Sequence, residues 1–418
     1  MRTLLPLSWS ANVLQEGRLQ SNPFHTSSDK AFPVYIVHGG TLSVSLISLI
    51  PTRGQLTTHK LLKCQLRFTR QFALLLVIHN RRSKMSTTTL PEPSIKRSLT
   101  LNFVGDWGQA NFHRICSWLT QEFCDRAGSR SRVAIWNMRG GGLEGVQQVF
   151  DGEAQLCIAT PAGLLRGALT GEGMFASTGP MPTLRTLGVL PQRDRMMLAI
   201  RPKFGIKSFA DLRRLKPAIR IATSVDDGTN YIGYVAMRLM EAHGITKEVL
   251  ESWGGSYILT TRPEQAIGNM RLGHADAVLQ EAIMTPWWRQ LMEEQKLVPI
   301  PSEADAIASL AGQHGFLPAS IRAGFWNSEY CKEEIPALDF SDFLVIVRDD
   351  MPDDIAYLLT WCMIEKREII EMQYRHLDPE RSPLTYPLDP VAMAKPSIPL
   401  HPAAERYYRE AGHLTESE

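Results

Sequence analysis

The chain has 418 residues, 44% of them hydrophobic, and a formal net charge of +2. That length is ample for two cores at roughly 100–200 residues per domain. The total charge hides an asymmetry: residues 1–84 hold eleven Lys or Arg against only Glu16 and Asp29, while the rest holds 34 basic and 41 acidic residues. A mildly acidic body argues against a nucleic-acid partner, because phosphate binding needs excess Lys and Arg on one face. Cys64, Cys116, Cys124, Cys157, Cys331 and Cys362 show no CxxC spacing and no His at ligand spacing. They read as free thiols packed like small apolar groups, with neither a zinc site nor a disulfide framework expected.

Residues 1–84 are basic and show no sustained helical or alternating period. Their two apolar runs, Thr41–Ile50 and Phe72–Ile78, fall short of the roughly 20 residues of a membrane span. Neither has the flanks of a signal peptide. Met85 opens STTTLPEP, a lead-in with loop composition. The expectation is a basic, disordered extension over 1–97, with Met85 a candidate start.

From Ser98 the pattern changes. LTLNFVG (Leu99–Gly105) reads as a strand ending in Gly, and Asn111–Arg126 carries apolar residues at helical spacing. RVAIWNM (Arg132–Met138) is a second strand, broken by Gly140-Gly141-Gly142 before a helix at Leu143–Phe150. AQLCIAT (Ala154–Thr160) is a third strand, with Pro161 directly after it. The alternation restarts with a strand at Ile219–Ser224, a turn at Asp226–Asn230 and an amphipathic helix at Tyr231–His243, stopped by Gly244. Pro263–Leu272 reads as a helix and Ala275–Gln280 as a strand. Ser341–Asp350 is a late strand, Asp353–Gln373 a helix, and Ala403–Ala411 a last short helix. Strands alternating with helices imply parallel α/β sheets.

Five segments in order then carry a family resemblance: GGGLEGVQQVFDGEAQLCIATPAGLLRGALTGEGMF (140–175), GIKSFADLRRL (205–215), IATSVDDGTNYIGYVAMRLMEAHGI (221–245), GNMRLGHADAVLQEAIMTPWW (268–288) and IPLHPAAERYYREAG (398–412). Together they resemble the TAXI-type receptors of TRAP (tripartite ATP-independent periplasmic) transporters, over about residues 99–414. The sequence departs from that pattern in the turn 105–111, in Arg139–Gly142, and at Ala403 where Gly is usual. The resemblance implies a type II periplasmic-binding-protein fold: two α/β lobes around a ligand cleft, closing in the manner of a Venus flytrap. It implies a solute-binding receptor for a small anionic, carboxylate-bearing solute, with a TRAP-type permease as partner and no cofactor. The expected organisation is 98–203 for the first part of lobe 1, 204–340 for lobe 2, and 341–418 for the return and tail. The strands near Met196–Pro202 and Phe343–Arg348 are the expected connections. By resemblance the protein is extracytoplasmic; without a readable signal peptide it is cytoplasmic as written.

In α/β lobes ligands sit at the carboxyl ends of strands, beside helix N-termini that favour anions. The candidate ligand-binding residues are therefore Asp106, Trp107, Gly108 and Asn111 in the first turn; Arg139, Gly140 and Gly141 in the second; Thr160 and Pro161 in the third; Ser224, Gly228, Thr229 and Asn230 in the fourth; and Gln280 and Glu281 after the second-lobe strand. Each has a plainer alternative. Ser, Thr, Asp and Asn before helices cap them. Arg139 is either a carboxylate clamp or a solvated loop residue. Trp287 and Trp288 read as core, His113 and His401 as packing residues, and Glu365 with Glu368 as a solvated helix face. No G-x-S-x-G, HExxH or Cys/His signature is present, so no catalytic residue is expected. The rival functions are a cytoplasmic ligand sensor without a permease, and an enzyme on the same fold.

Overall fold

The computed structural model describes residues 90–105, 111–138 and 142–415, with the backbone of three strands between residues 32 and 65. The chain divides into two units, 1–87 and 88–418. In the first unit, β1 (Phe32–His38) pairs antiparallel with β2 (Thr41–Ile47), which pairs with β3 (Cys64–Gln65). These strands lie within the expected basic extension, the rest of which is outside the described residues. FPVYIVH and TLSVSLI are rich in β-branched residues, and short enough to pair across a two-residue connection. The expected boundary at 97 also moves. Ile95 is buried, its N–H donates to the Arg126 carbonyl at 2.8 Å, and Glu92 pairs with Arg126, so residues 90–97 belong to the second unit.

Unit 88–418 forms two α/β lobes. Among the described residues, the lobe 1 sheet holds β4 (Thr100–Gly105), β5 (Arg132–Asn137), β6 (Leu156–Ala159), β7 (Leu184–Leu190) and β15 (Phe343–Arg348), in the order β5-β4-β6-β15-β7. β4 is parallel to β5 and β6; the return strand β15 runs antiparallel to β6 and β7. The lobe 2 sheet holds β8 (Arg195–Ile200), β9 (Arg220–Ser224), β10 (Ser256–Thr260), β11 (Ala277–Gln280), β12 (Val298–Ile300), β13 (Pro318–Ile321) and β14 (Ile335–Asp339). Its order is β10-β9-β11-β8-β14-β13, with β12 also on β8.

The lobe boundary therefore lies at 191–194, not at 203. β8 is no connector: MMLAI is wholly buried and pairs with β11, β12 and β14 inside lobe 2. β7 escapes the sequence pattern because it is buried on both faces and shows no alternation. It also contains Gly188 at φ 151°, where an added Cβ would lie 2.3 Å from the Tyr408 hydroxyl. The tail is locked onto β7 by that hydroxyl's bond to the Leu187 carbonyl, and by Thr186–Pro399 and His401–Thr186 backbone bonds. The helix expected over Asp353–Gln373 is two, Asp353–Glu365 and Arg367–Met372, because Lys366 at φ −106°, ψ 12° interrupts it.

One buried apolar cluster belongs to each lobe. A third is shared, joining Val104 and Cys157 of lobe 1 to Ile221 and Val235 of lobe 2. Among the described cysteines, Cys116, Cys157, Cys331 and Cys362 are buried free thiols and Cys124 is half-buried. No described helix is long and apolar enough to cross a membrane.

Candidate functional site

A cavity of about 300 Å³ lies between the lobes. It sits where α/β chemistry places ligands, at the carboxyl ends of β4, β6 and β11. Lobe 1 contributes Gly105, Asn111, Phe112, Arg114, Met138, Gly142, Ile158, Thr160 and Phe343; lobe 2 contributes Asp194, Tyr231, Ile232, Glu264, Glu281, Met284 and Trp287.

The hinge forms one end. The chain crosses at 191–194 and again at 340–342, and the crossings are bonded side by side. Phe340 N–H donates to the Asp194 carbonyl at 3.1 Å and Asp342 N–H to the Gln192 carbonyl at 3.3 Å. Gln192, 3% exposed, donates from Nε2 to the Phe340 carbonyl at 2.7 Å and to Thr160 Oγ1 at 3.3 Å. Thr160 Oγ1 donates to the Asp342 carbonyl at 2.9 Å. Asp342 adopts a left-handed φ of 64°, which Asp tolerates better than most residues. Its carboxylate accepts the Gln192 N–H at 3.1 Å. Asp194 accepts N–H groups from Arg195 and Ile283, both at 2.8 Å, and its carboxyl is bonded to Glu281. Burial pushes both carboxyls, Asp194 and Asp342, up to about 6.

The mouth forms the other end. The helix Tyr231–Ala242 starts at Asn230, whose side chain accepts from the N–H groups of Ile232 and Gly233, both at 3.1 Å. Its first residue, Tyr231, crosses into lobe 1. The ring is 1% exposed and lies edge-on to Phe175, with centroids 6.0 Å apart. Gly142, at φ 123°, faces it: a Cβ there would stand 2.4 Å from the ring. Leu143 N–H donates to the Thr229 carbonyl at 3.3 Å, beside a bridge between Gly142 and Asn230.

Of the candidate residues, Asn111, Thr160 and Glu281 line the cavity. Asp106, Trp107, Gly108, Arg139, Gly140 and Gly141 lie outside the described residues. Ser224 and Gln280 do not line it; both are fully buried and bond each other at 2.8 Å inside the lobe 2 sheet. Pro161 is buried behind Thr160, with a cis Thr160–Pro161 bond. Asn230 is a helix cap, and Thr229 bonds Asp227 at 2.8 Å while its carbonyl reaches lobe 1. Gly228 is an exposed turn residue at φ 81°. Trp288 is core, donating to the Glu281 carbonyl, whereas Trp287 lines the cavity. His401 caps the last helix and reaches the Met351 carbonyl at 3.0 Å.

Sequence reasoning missed Asp194, Tyr231, Phe112 and Arg114. The signal for Asp194 was the polar PQRD between the apolar runs of β7 and β8. Tyr231, Phe112 and Arg114 sit in the first turn of helices that were read for their core faces alone.

Solved structures with similar backbones include the periplasmic binding protein BugD (13% identity, covering 75% of this chain and 97% of that one, TM-score 0.41). MatC from Rhodopseudomonas palustris, solved with malate, matches at 12% identity (78% and 100% coverage, TM-score 0.41). The GluR0 ligand-binding core from Nostoc punctiforme, solved with L-glutamate, matches at 11% identity (66% and 98% coverage, TM-score 0.36). No curated protein matches the sequence. The two lobes, the double crossing and the cleft between them make a two-lobed α/β fold. A family pattern spans residues 117–412, from the first lobe 1 helix through lobe 2 and back into the tail, and by that match the chain belongs to the NMT1-like family.

Proposed function

We propose that this protein is a solute-binding receptor whose lobes close on a small carboxylate-bearing solute, and that it serves a TRAP-type permease in the manner of TAXI receptors, without catalysis. The observation that carries this reading is the cavity itself: about 300 Å³, walled by both lobes, beside two adjacent crossings about which lobes can turn. Arg114 and Asn111, in the first turn of the helix Asn111–Cys124, supply a guanidinium fork and a helix N-terminus for a carboxylate. A thermal-shift screen of the full chain against mono- and dicarboxylates, oxoacids and amino acids tests it. A true solute at about 100 times its Kd stabilises the folded state by about 2.7 kcal/mol. It is expected to be recovered chemically unchanged. Consumption of the solute would replace the receptor reading with an enzyme. Co-purification with a membrane permease tests the transport partner, and its failure would leave a ligand sensor.

A further inference from the structure

The polar groups that line the cavity near the hinge are engaged with the protein itself. Gln192 donates from Nε2 to the Phe340 carbonyl at 2.7 Å, and its Oε1 accepts the Asp194 N–H. Thr160 Oγ1 donates to the Asp342 carbonyl at 2.9 Å. The Asp194 carboxylate accepts the N–H groups of Arg195 and Ile283 and is bonded to Glu281. On lobe 2, Thr285 Oγ1 donates to the Ala282 carbonyl at 2.8 Å and caps the helix Pro286–Glu293. A solute that displaced these bonds would leave buried partners unmade, which costs more than a replacement bond returns. The other charged lining groups among the described residues are Arg114 and Glu264, each in the first turn of a helix.

Much of the remaining wall is apolar. Lobe 1 presents Phe112, Met138 and Phe343; lobe 2 presents Ile232, Met284 and Trp287. Phe343, Ile232 and Met284 are buried, Phe112 and Met138 half-buried, and Trp287 is 42% exposed. Phe112 meets Phe343 edge to face, with centroids 5.2 Å apart. A further ring can join such a pair in the same geometry, and thioethers beside a ring add favourable sulfur contacts. The size agrees. The cavity of about 300 Å³ is twice the roughly 150 Å³ apolar cavity that takes one benzene, so it has room for a ring and a short chain.

We infer that the solute is an aryl-substituted carboxylate, its ring seated between the Phe112–Phe343 pair and Trp287 and its carboxylate at Arg114. This rests on the receptor reading and adds the body of the solute to its charge. Arg114 is exposed and shares the first turn of the helix Asn111–Cys124 with Phe112, so the ring and the carboxylate are received side by side. Because the apolar wall comes from both lobes, burying the ring draws them together, which a small polar acid does far less.

The test compares four probes on the full chain by isothermal titration calorimetry: 3-phenylpropionate, 3-cyclohexylpropionate, glutarate and 3-phenylpropan-1-ol. The aryl acid is expected to bind about tenfold tighter than glutarate, or more, because it buries a whole ring. It should bind about threefold tighter than the cyclohexyl acid, which has the bulk but no π-face. Trp287→Ala, at a part-exposed position, should erase the preference for the aryl acid over glutarate. Equal or tighter binding of glutarate, or a preference that survives Trp287→Ala, overturns the inference and leaves the receptor reading standing. Binding of the alcohol as tightly as the aryl acid overturns the placement of a carboxylate at Arg114. Absence of binding by every probe counts against the receptor reading and this inference together.

Discussion

The hinge end and the mouth of the cleft are built from opposite chemistry. At the hinge, the crossings 191–194 and 340–342 are tied by Gln192, Thr160 and Asp342 through buried hydrogen bonds to main chain. At the mouth the lobes meet through an aromatic plug, Tyr231, against Phe175 and Gly142, with the Leu143–Thr229 backbone bond beside it. Buried polar bonds are directional and costly to leave unmade, so they fix the geometry of the two crossings. An apolar plug is non-directional and can withdraw whole. The difference predicts, on the receptor reading proposed above, that opening should break the mouth and preserve the hinge.

The sharpest way to break this comparison is Tyr231→Ala. Removing a fully buried ring should cost about 3–5 kcal/mol of closed-state stability. Small-angle scattering should show a larger radius of gyration; an unchanged radius would mean that the mouth does not hold the lobes together. Gly142→Val comes next. The Cβ collides with the Tyr231 ring and the residue must hold φ 123°, for about 2–3 kcal/mol. In a Tyr231→Ala background the collision vanishes, so a double-mutant cycle should show coupling between the two positions.

At the hinge the effect should be smaller and of another kind. Gln192→Ala leaves the Phe340 carbonyl unpaired and should lower stability by about 1–3 kcal/mol, read as urea midpoint, without changing the radius of gyration. The smallest effect is a pH dependence. The Asp342 carboxyl is raised to about 6 by burial, above about 3.9 in an unfolded chain. Its folded state holds a proton that the unfolded state releases between those values. That contribution is fully present below the unfolded value and is lost as pH rises through 6. Asp342→Asn mimics the protonated group and suits the left-handed backbone. It should be more stable than the parent at pH 7.5 by about 1–2 kcal/mol, with the difference gone by pH 4. His243, lowered by burial and accepting the Glu303 N–H, works oppositely in both proteins and cancels in the difference.

What could be read from the sequence was local. The helix Leu143–Phe150 ends where its apolar spacing ends, and β4, β5, β9 and β11 fall inside the expected runs, because period and breakers are written in consecutive residues. The two α/β sheets came from alternation, and the rule that ligands meet strand ends singled out Asn111, Thr160 and Glu281, which line the cavity.

What only the tertiary structure decided was long-range pairing. Ser224 and Gln280 satisfy each other across 56 residues, which withdraws both from the cleft. Asp194 meets Glu281, and Tyr231 of lobe 2 meets Phe175 and Gly142 of lobe 1. Residues so far apart in the chain carry no mutual spacing, so their meeting is set by how the sheets order and how the chain crosses twice. Local propensity determined the elements of this protein; strand order and the double crossing determined which of their ends face one another, and therefore what the cleft can bind.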